Sequence, residues 1–179
     1  MTDPQFLIIS PEINTGLIKT TVSSLKFRYK NPRVLCSVPE SAIKNDINFI
    51  KTLCPVIRGK NTITSLINTG VSRMKKDWIV WIVEGAVVKC PFHLKYHNWL
   101  ASENDIFFPV GLQHNRHGKP INITTCFENS SLNGVMFHKQ IFNRVGKFSD
   151  NPLEISRTVW RQEAESKGGI FKGVLGVRI

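Results

Sequence analysis

Residues Trp78-Ile79-Val80-Trp81-Ile82-Val83 are six consecutive apolar positions, closed by Glu84 and Gly85. A strand with one wet face alternates apolar and polar side chains. An unbroken run predicts instead a strand covered on both faces, the central strand of a parallel sheet. The longest nearly apolar stretch, Trp78 to Val88, contains Glu84 and falls far below the roughly 20 residues of a membrane span.

The segments before it supply the rest of such a sheet. Phe6 to Ser10 predicts a buried strand, followed by a helix that Asn14 or Thr15 can cap, with Ile18, Val22, Leu25 and Tyr29 at helical spacing. Arg33 to Val38 is a second strand closed by Pro39. Ser41 to Leu53 reads as a helix with Ile43, Ile47 and Ile50 facing inward. Cys54 to Ile57 is a short strand, and Arg58-Gly59-Lys60 a basic turn. Ile63, Leu66, Ile67, Gly70, Val71 and Met74 then mark one face of a helix capped by Asn61 or Thr62. The alternation of strands and helices predicts an α/β fold: an open, mostly parallel, twisted sheet with helices on both faces.

Beyond Gly85 the pattern is less regular. Pro91 to Ala101 suggests a helix, Asp105 to Val110 a strand, Gly111 to Pro120 a polar loop or hairpin, and Ile121 to Phe127 an antiparallel partner. Met136 to Val145 reads as a strand end and a short helix. Pro152 can start a helix that Gly168-Gly169 stops, and Ile170 to Val177 is a last strand. The 179 residues read as one domain. A chain of this length can bury roughly 70% of its unfolded surface in a single core.

With 24 Lys and Arg against 13 Asp and Glu, the net charge is +11, which favours anionic partners. The cations are scattered, and no zinc-finger, basic-zipper or RNP-like motif accompanies them. Cys36, Cys54, Cys90 and Cys126 form no Cys-x-x-Cys pair, so a zinc site is not expected; Cys36 and Cys54 read as buried thiols. No cationic stretch precedes an apolar run at the start, so the sequons at Asn122 and Asn129 carry little weight and the expected setting is cytoplasmic. Neither a dinucleotide fingerprint, nor a P-loop, nor a nucleophile elbow is present. His93 and His97 read as ordinary helix residues, while His114 and His117 lie in the polar loop.

In an open parallel sheet, ligands bind beyond the carboxyl ends of the strands. The candidates are therefore Pro11 and Glu12, Glu40, Arg58 and Lys60, and above all Glu84. An acid that directly follows six apolar residues is solvent-facing, capping, or placed for a ligand or metal.

Taken in order, these blocks resemble the A-type fold of nucleotide-sugar-dependent glycosyltransferases, especially the inverting family that builds polysaccharides and surface glycans. The resemblance runs through Phe6 to Pro11, Thr21-Val22-Ser23-Ser24-Leu25, Arg58-Gly59-Lys60, Asn68-Thr69-Gly70 and Trp78 to Ala86. Its most specific part is Ile141-Phe142 with Val145-Gly146-Lys147-Phe148, and the matched blocks span residues 6 to about 168. The resemblance implies a nucleoside diphosphate sugar as donor and a glycan or other hydroxyl as acceptor, with residues 1–86 as a nucleotide-binding half and 87–179 as an acceptor-side half. It also implies a divalent cation, Mn²⁺ or Mg²⁺, held by Glu84. Pro11, Glu12, Glu40, Arg58, Lys60 and Arg161 would bind the donor, and Glu154 would be the catalytic base. Two positions depart from the family: Ala86 replaces the second acid of the Asp-x-Asp pair, and either Ile155 or Glu154 occupies the base position, depending on register. A relative that binds the nucleotide sugar without catalysis, and a basic nucleic-acid-binding domain, are the alternative readings.

Overall fold

In a computed structural model the chain is described over residues 4–88, 102–114, 120–124, 127 and 133–175. The strands are β1 (Gln5–Ile9), β2 (Arg33–Pro39), β3 (Val56–Gly59), β4 (Trp78–Val83), β5 (Asp105–His114), β6 (Pro120–Thr124), β7 (Val135–His138) and β8 (Ile170–Leu175). The helices are α1 (Thr15–Arg28), α2 (Lys44–Leu53), α3 (Ile63–Arg73), α4 (Lys139–Val145) and α5 (Leu153–Ser166). The strands order as β3-β2-β1-β4-β7-β5-β6, and β8 pairs with β5. From β3 to β4 all neighbours are parallel; β7 runs antiparallel to both β4 and β5, and β8 is parallel to β5. The expected open α/β sheet with helices on both faces is the fold observed.

The apolar run explains the layering. Trp78, Val80 and Ile82 of β4 join one core with Ile18, Val22 and Leu25 of α1 and Ile47 and Ile50 of α2. Ile79 and Trp81 face the other side, with Leu66, Ile67 and Val71 of α3 and with Ile141, Phe142 and Trp160 of α4 and α5. Successive side chains of a strand point to opposite faces, so a strand with a core on each side has no position left for a polar residue. Cys36 and Cys54 lie in the first of these cores as free thiols. The hydrogen bond with Cys54, then burial, push the pKa of Cys36 up.

Several boundaries differ from expectation. The α2 helix starts at Lys44, not Ser41, because Pro39 to Ala42 closes a turn through the Ala42 N–H to Pro39 carbonyl bond (3.1 Å). Ile43 is therefore its N-cap, and is 62% exposed instead of facing inward. Cys54 caps α2, which moves β3 to Val56–Gly59 and draws Arg58 and Gly59 out of the expected turn into register with Val38 and Pro39. Of the polar segment 111–120, residues 115–119 lie outside the described residues, and the rest is strand. Its first part, including His114, lengthens β5, and β6 returns antiparallel from Pro120. The predicted helix 91–101 with His93 and His97, and also His117, Cys90 and Cys126, lie outside the described residues.

Candidate functional site

The carboxyl ends of β1 and β4 lie side by side, with Ile9 opposite Val83 in register. Just beyond them, Glu84 reaches across to the segment that joins β1 to α1. Its Oε2 accepts from the Ser10 hydroxyl (2.7 Å) and from the Asn14 N–H (2.9 Å), and its Oε1 accepts from the Glu12 N–H (3.4 Å). The Glu84 N–H itself bonds the Ile9 carbonyl at 3.1 Å. The Ser10 N–H bonds the Ser37 carbonyl of β2 (3.0 Å), the carboxylate supplies the acceptor for the Glu12 and Asn14 N–H groups, and Ile13 between them is held at φ 56°, an unusual value for a branched residue.

The remainder of the β4 exit is fixed in the same manner. The Val83 N–H donates to Asn133 Oδ1 (2.6 Å), the Gly85 N–H to Thr21 Oγ1 (2.9 Å) and the Val88 N–H to Ser24 Oγ (3.1 Å). Gly85 has φ 89°, where a side chain would be strained. Asn14 caps α1 by accepting from the Leu17 N–H at 3.0 Å. Thr21 and Ser24, two hydroxyls on α1, therefore hold the backbone that leaves β4. Their proximity in sequence to Leu25 is legible; their partners some 64 residues away are not.

The other expected ligand-binding residues fall into separate places. Pro11 and Glu12 lie in the loop that Glu84 holds. Glu40 and Arg58 meet at the ends of β2 and β3, where Arg58 donates to the Glu40 carbonyl and, at 3.3 Å, to that of Ala42. Lys60, just after β3, is 3.8 Å from Asp150. Arg161 lies midway along α5, paired with Glu165 at 2.9 Å and over the Phe171 ring. Glu154 occupies the exposed first turn of α5, where an acid suits the positive end of the helix. Ile155 beside it is 54% exposed. The described contacts of Glu84 and those around Glu154 share no residue.

Asn68, in the Asn-x-Gly element, has a role that sequence reading did not find. Its Nδ2 donates to the Phe148 carbonyl (2.8 Å) and its Oδ1 accepts from the Phe148 N–H (2.9 Å). This two-way bond fixes the segment between α4 and α5 against α3. Gly70 completes the element by letting α3 approach β1: a Cβ there would stand 2.4 Å from Leu7 Cδ1. Phe148 in turn stacks on Trp160 with centroids 4.9 Å apart, and Trp160 Nε1 donates to the Gly146 carbonyl at 3.0 Å.

Among the described residues, no group of three His, Cys, Asp or Glu side chains converges to hold a metal ion. Glu84 offers a single carboxylate, two of whose three hydrogen bonds fall on Oε2, leaving Oε1 the freer oxygen. A hard cation takes about six oxygens, so this donor set does not form a resident metal site unaided.

Compared by sequence, the chain matches no protein-family model and no curated protein. Its architecture is shared with solved structures. A 4-diphosphocytidyl-2C-methyl-D-erythritol synthase aligns with TM-score 0.63 and 10% identity over 98% of this chain and 90% of its own. A CMP:2-keto-3-deoxy-manno-octonic acid synthetase complexed with CTP gives TM-score 0.63 and 7% identity over the same shares. The M. tuberculosis glucosyl-3-phosphoglycerate synthase gives TM-score 0.64 and 12% identity, over 98% of this chain and 72% of that one. The chain has the A-type fold of nucleotidyl- and glycosyltransferases; likeness at such identities is a likeness of fold. No described helix is long and apolar enough to cross a membrane.

Proposed function

We propose that the chain is a cytoplasmic transferase that binds a nucleoside diphosphate sugar at the carboxyl ends of β1 to β4 and passes the sugar to a hydroxyl acceptor. The observation that carries this reading is the bridge from Glu84 to Ser10, Glu12 and Asn14, which shapes the two strand ends where a sheet of this topology receives its ligand. Pro11 and Glu12 form one wall, and Glu40 and Arg58 the other. Arg58 supplies positive charge to the diphosphate as it leaves. A divalent cation would arrive with the diphosphate, held mainly by phosphate oxygens and water, with Glu84 Oε1 as its protein ligand, and would neutralise part of the phosphate charge.

In the transfer, Glu154 takes the proton of the acceptor hydroxyl as its oxygen bonds to the anomeric carbon. The bond from that carbon to the diphosphate breaks, and the electron pair leaves with the nucleoside diphosphate. Arg161 acts from the helix that carries Glu154. Calorimetric titration with a panel of nucleoside diphosphates, with and without Mn²⁺, tests the binding. Saturable binding of at least one supports the reading, and binding of none overturns it.

Nucleotidyl transfer is the second reading, favoured because the 4-diphosphocytidyl-2C-methyl-D-erythritol synthase and the CMP:2-keto-3-deoxy-manno-octonic acid synthetase share the fold over 90% of their length. It predicts tighter binding of a nucleoside triphosphate than of the diphosphate sugar, and pyrophosphate as the released product.

A further inference from the structure

Between α3 and the segment joining α4 to α5 lies a cleft of about 460 Å³. One wall is the outer face of α3 and the other is Lys147 to Asp150, and the two-way Asn68–Phe148 bond holds them at fixed spacing. Lys60, Arg73 and Lys147 line it against a single acid, Asp150. Lys60 and Asp150 are both more than 70% exposed at their 3.8 Å separation, so their attraction is weak and Lys60 stays available. Arg73 and Lys147 are exposed and have no acidic partner among the described residues. Ser65 accepts from the Lys60 N–H at 3.1 Å, which leaves its hydroxyl proton for a ligand.

We propose that this cleft is a binding site for a phosphate-class anion carried on a small polar molecule, separate from the site at the ends of β1 and β4. Three cations and a hydroxyl donor around one space give the charge and the hydrogen bonds that a phosphate takes. The single aromatic lining residue, Phe148, is 3% exposed, so the cleft offers no ring on which a nucleobase could stack. Of the residues bonded to Glu84, none lines it. A second cavity, which shares Asp150 with the cleft, reaches Leu153, the neighbour of Glu154. The shared Asp150 and the nearness of Leu153 favour the acceptor as carrier of the anion, a phosphorylated hydroxyl compound whose hydroxyl would lie toward Glu154. This last assignment rests on the transferase reading, whereas the anion site does not.

The test is an amide NMR titration with inorganic phosphate, followed by one with a nucleoside diphosphate. Phosphate is expected to give saturable shifts at Ser65, Thr69 and Lys147 to Asp150. In R73Q/K147Q half-saturation should need at least about tenfold more phosphate, a loss of about 1.4 kcal/mol. In K19Q/K51Q, which removes equal charge from α1 and α2, it should change less than about twofold, since distant exposed charges are screened. Both pairs are exposed, so folding is retained. Shifts that miss the cleft, that ignore R73Q/K147Q, or that weaken equally in K19Q/K51Q overturn the site. A nucleoside diphosphate that displaces phosphate from the cleft overturns its separateness. Phosphate bound in the cleft with no nucleotide bound anywhere leaves the anion site standing and removes the transferase reading.

Discussion

Glu84 shows how much one side chain can organise. On sequence it reads as solvent-facing, capping, or placed for a ligand or metal. In the structure it is half-buried and accepts three hydrogen bonds from the loop that joins β1 to α1. Hydrogen bonds to a charged group contribute about 1.5–3 kcal/mol, so Glu84→Gln, which turns an NH₂ toward one of those donors, should lower unfolding stability by roughly 1–2 kcal/mol. Chemical denaturation checks this. The same variant should weaken metal-dependent nucleotide binding by about tenfold. If stability falls while nucleotide affinity holds, Glu84 is a loop clamp and the donor site lies elsewhere. Asn68 is the second such residue. Asn68→Ala strands both polar groups of a buried Phe148 backbone and should cost about 2–3 kcal/mol. Asn68→Asp keeps the acceptor but sets an oxygen against the Phe148 carbonyl, so a denaturation midpoint no better than that of the alanine variant is expected.

Elements were legible where a period was long and clean. The β4 run, the α1 face and the α3 face each follow from spacing alone, because both cores impose it. Boundaries were less legible where a turn hydrogen bond decides them, as at Pro39 to Ala42, or where sheet register overrides local character, as for Arg58 and Gly59. Of the site, the positions of Pro11, Glu12 and Glu84 at the strand ends could be read; the donors that tie them together could not, since Ser10, Asn14, Thr21 and Ser24 gain meaning only from partners distant in sequence. Packing between elements gives its own tests. At Gly70, a methyl group would collide with the fully buried Leu7, so Gly70→Ala should cost about 1–3 kcal/mol. Leu7→Ala in the same chain should return part of that loss, a coupling that a double-mutant cycle measures. Between β5 and β8, Asp105 is buried and accepts from Lys172 Nζ and from the Ser102 N–H, both at 2.8 Å. Lys172→Met leaves that carboxylate without its cation and should cost about 3–5 kcal/mol. Adding Asp105→Asn should recover a measurable part.

At the scale of the molecule, the +11 charge favours anionic partners, and its cations are scattered along the sequence and not gathered in one tract. In the proposed function, the strand ends joined by Glu84 receive a nucleoside diphosphate. A crystal structure with a nucleoside diphosphate and Mn²⁺ soaked in tests this most directly. The predicted result is diphosphate density between the Ser10 to Asn14 loop and Glu84-Gly85, with Arg58 turned toward it and the cation next to Glu84 Oε1. Diphosphate seated instead in the α3 cleft, or absent at saturating concentration, would contradict it.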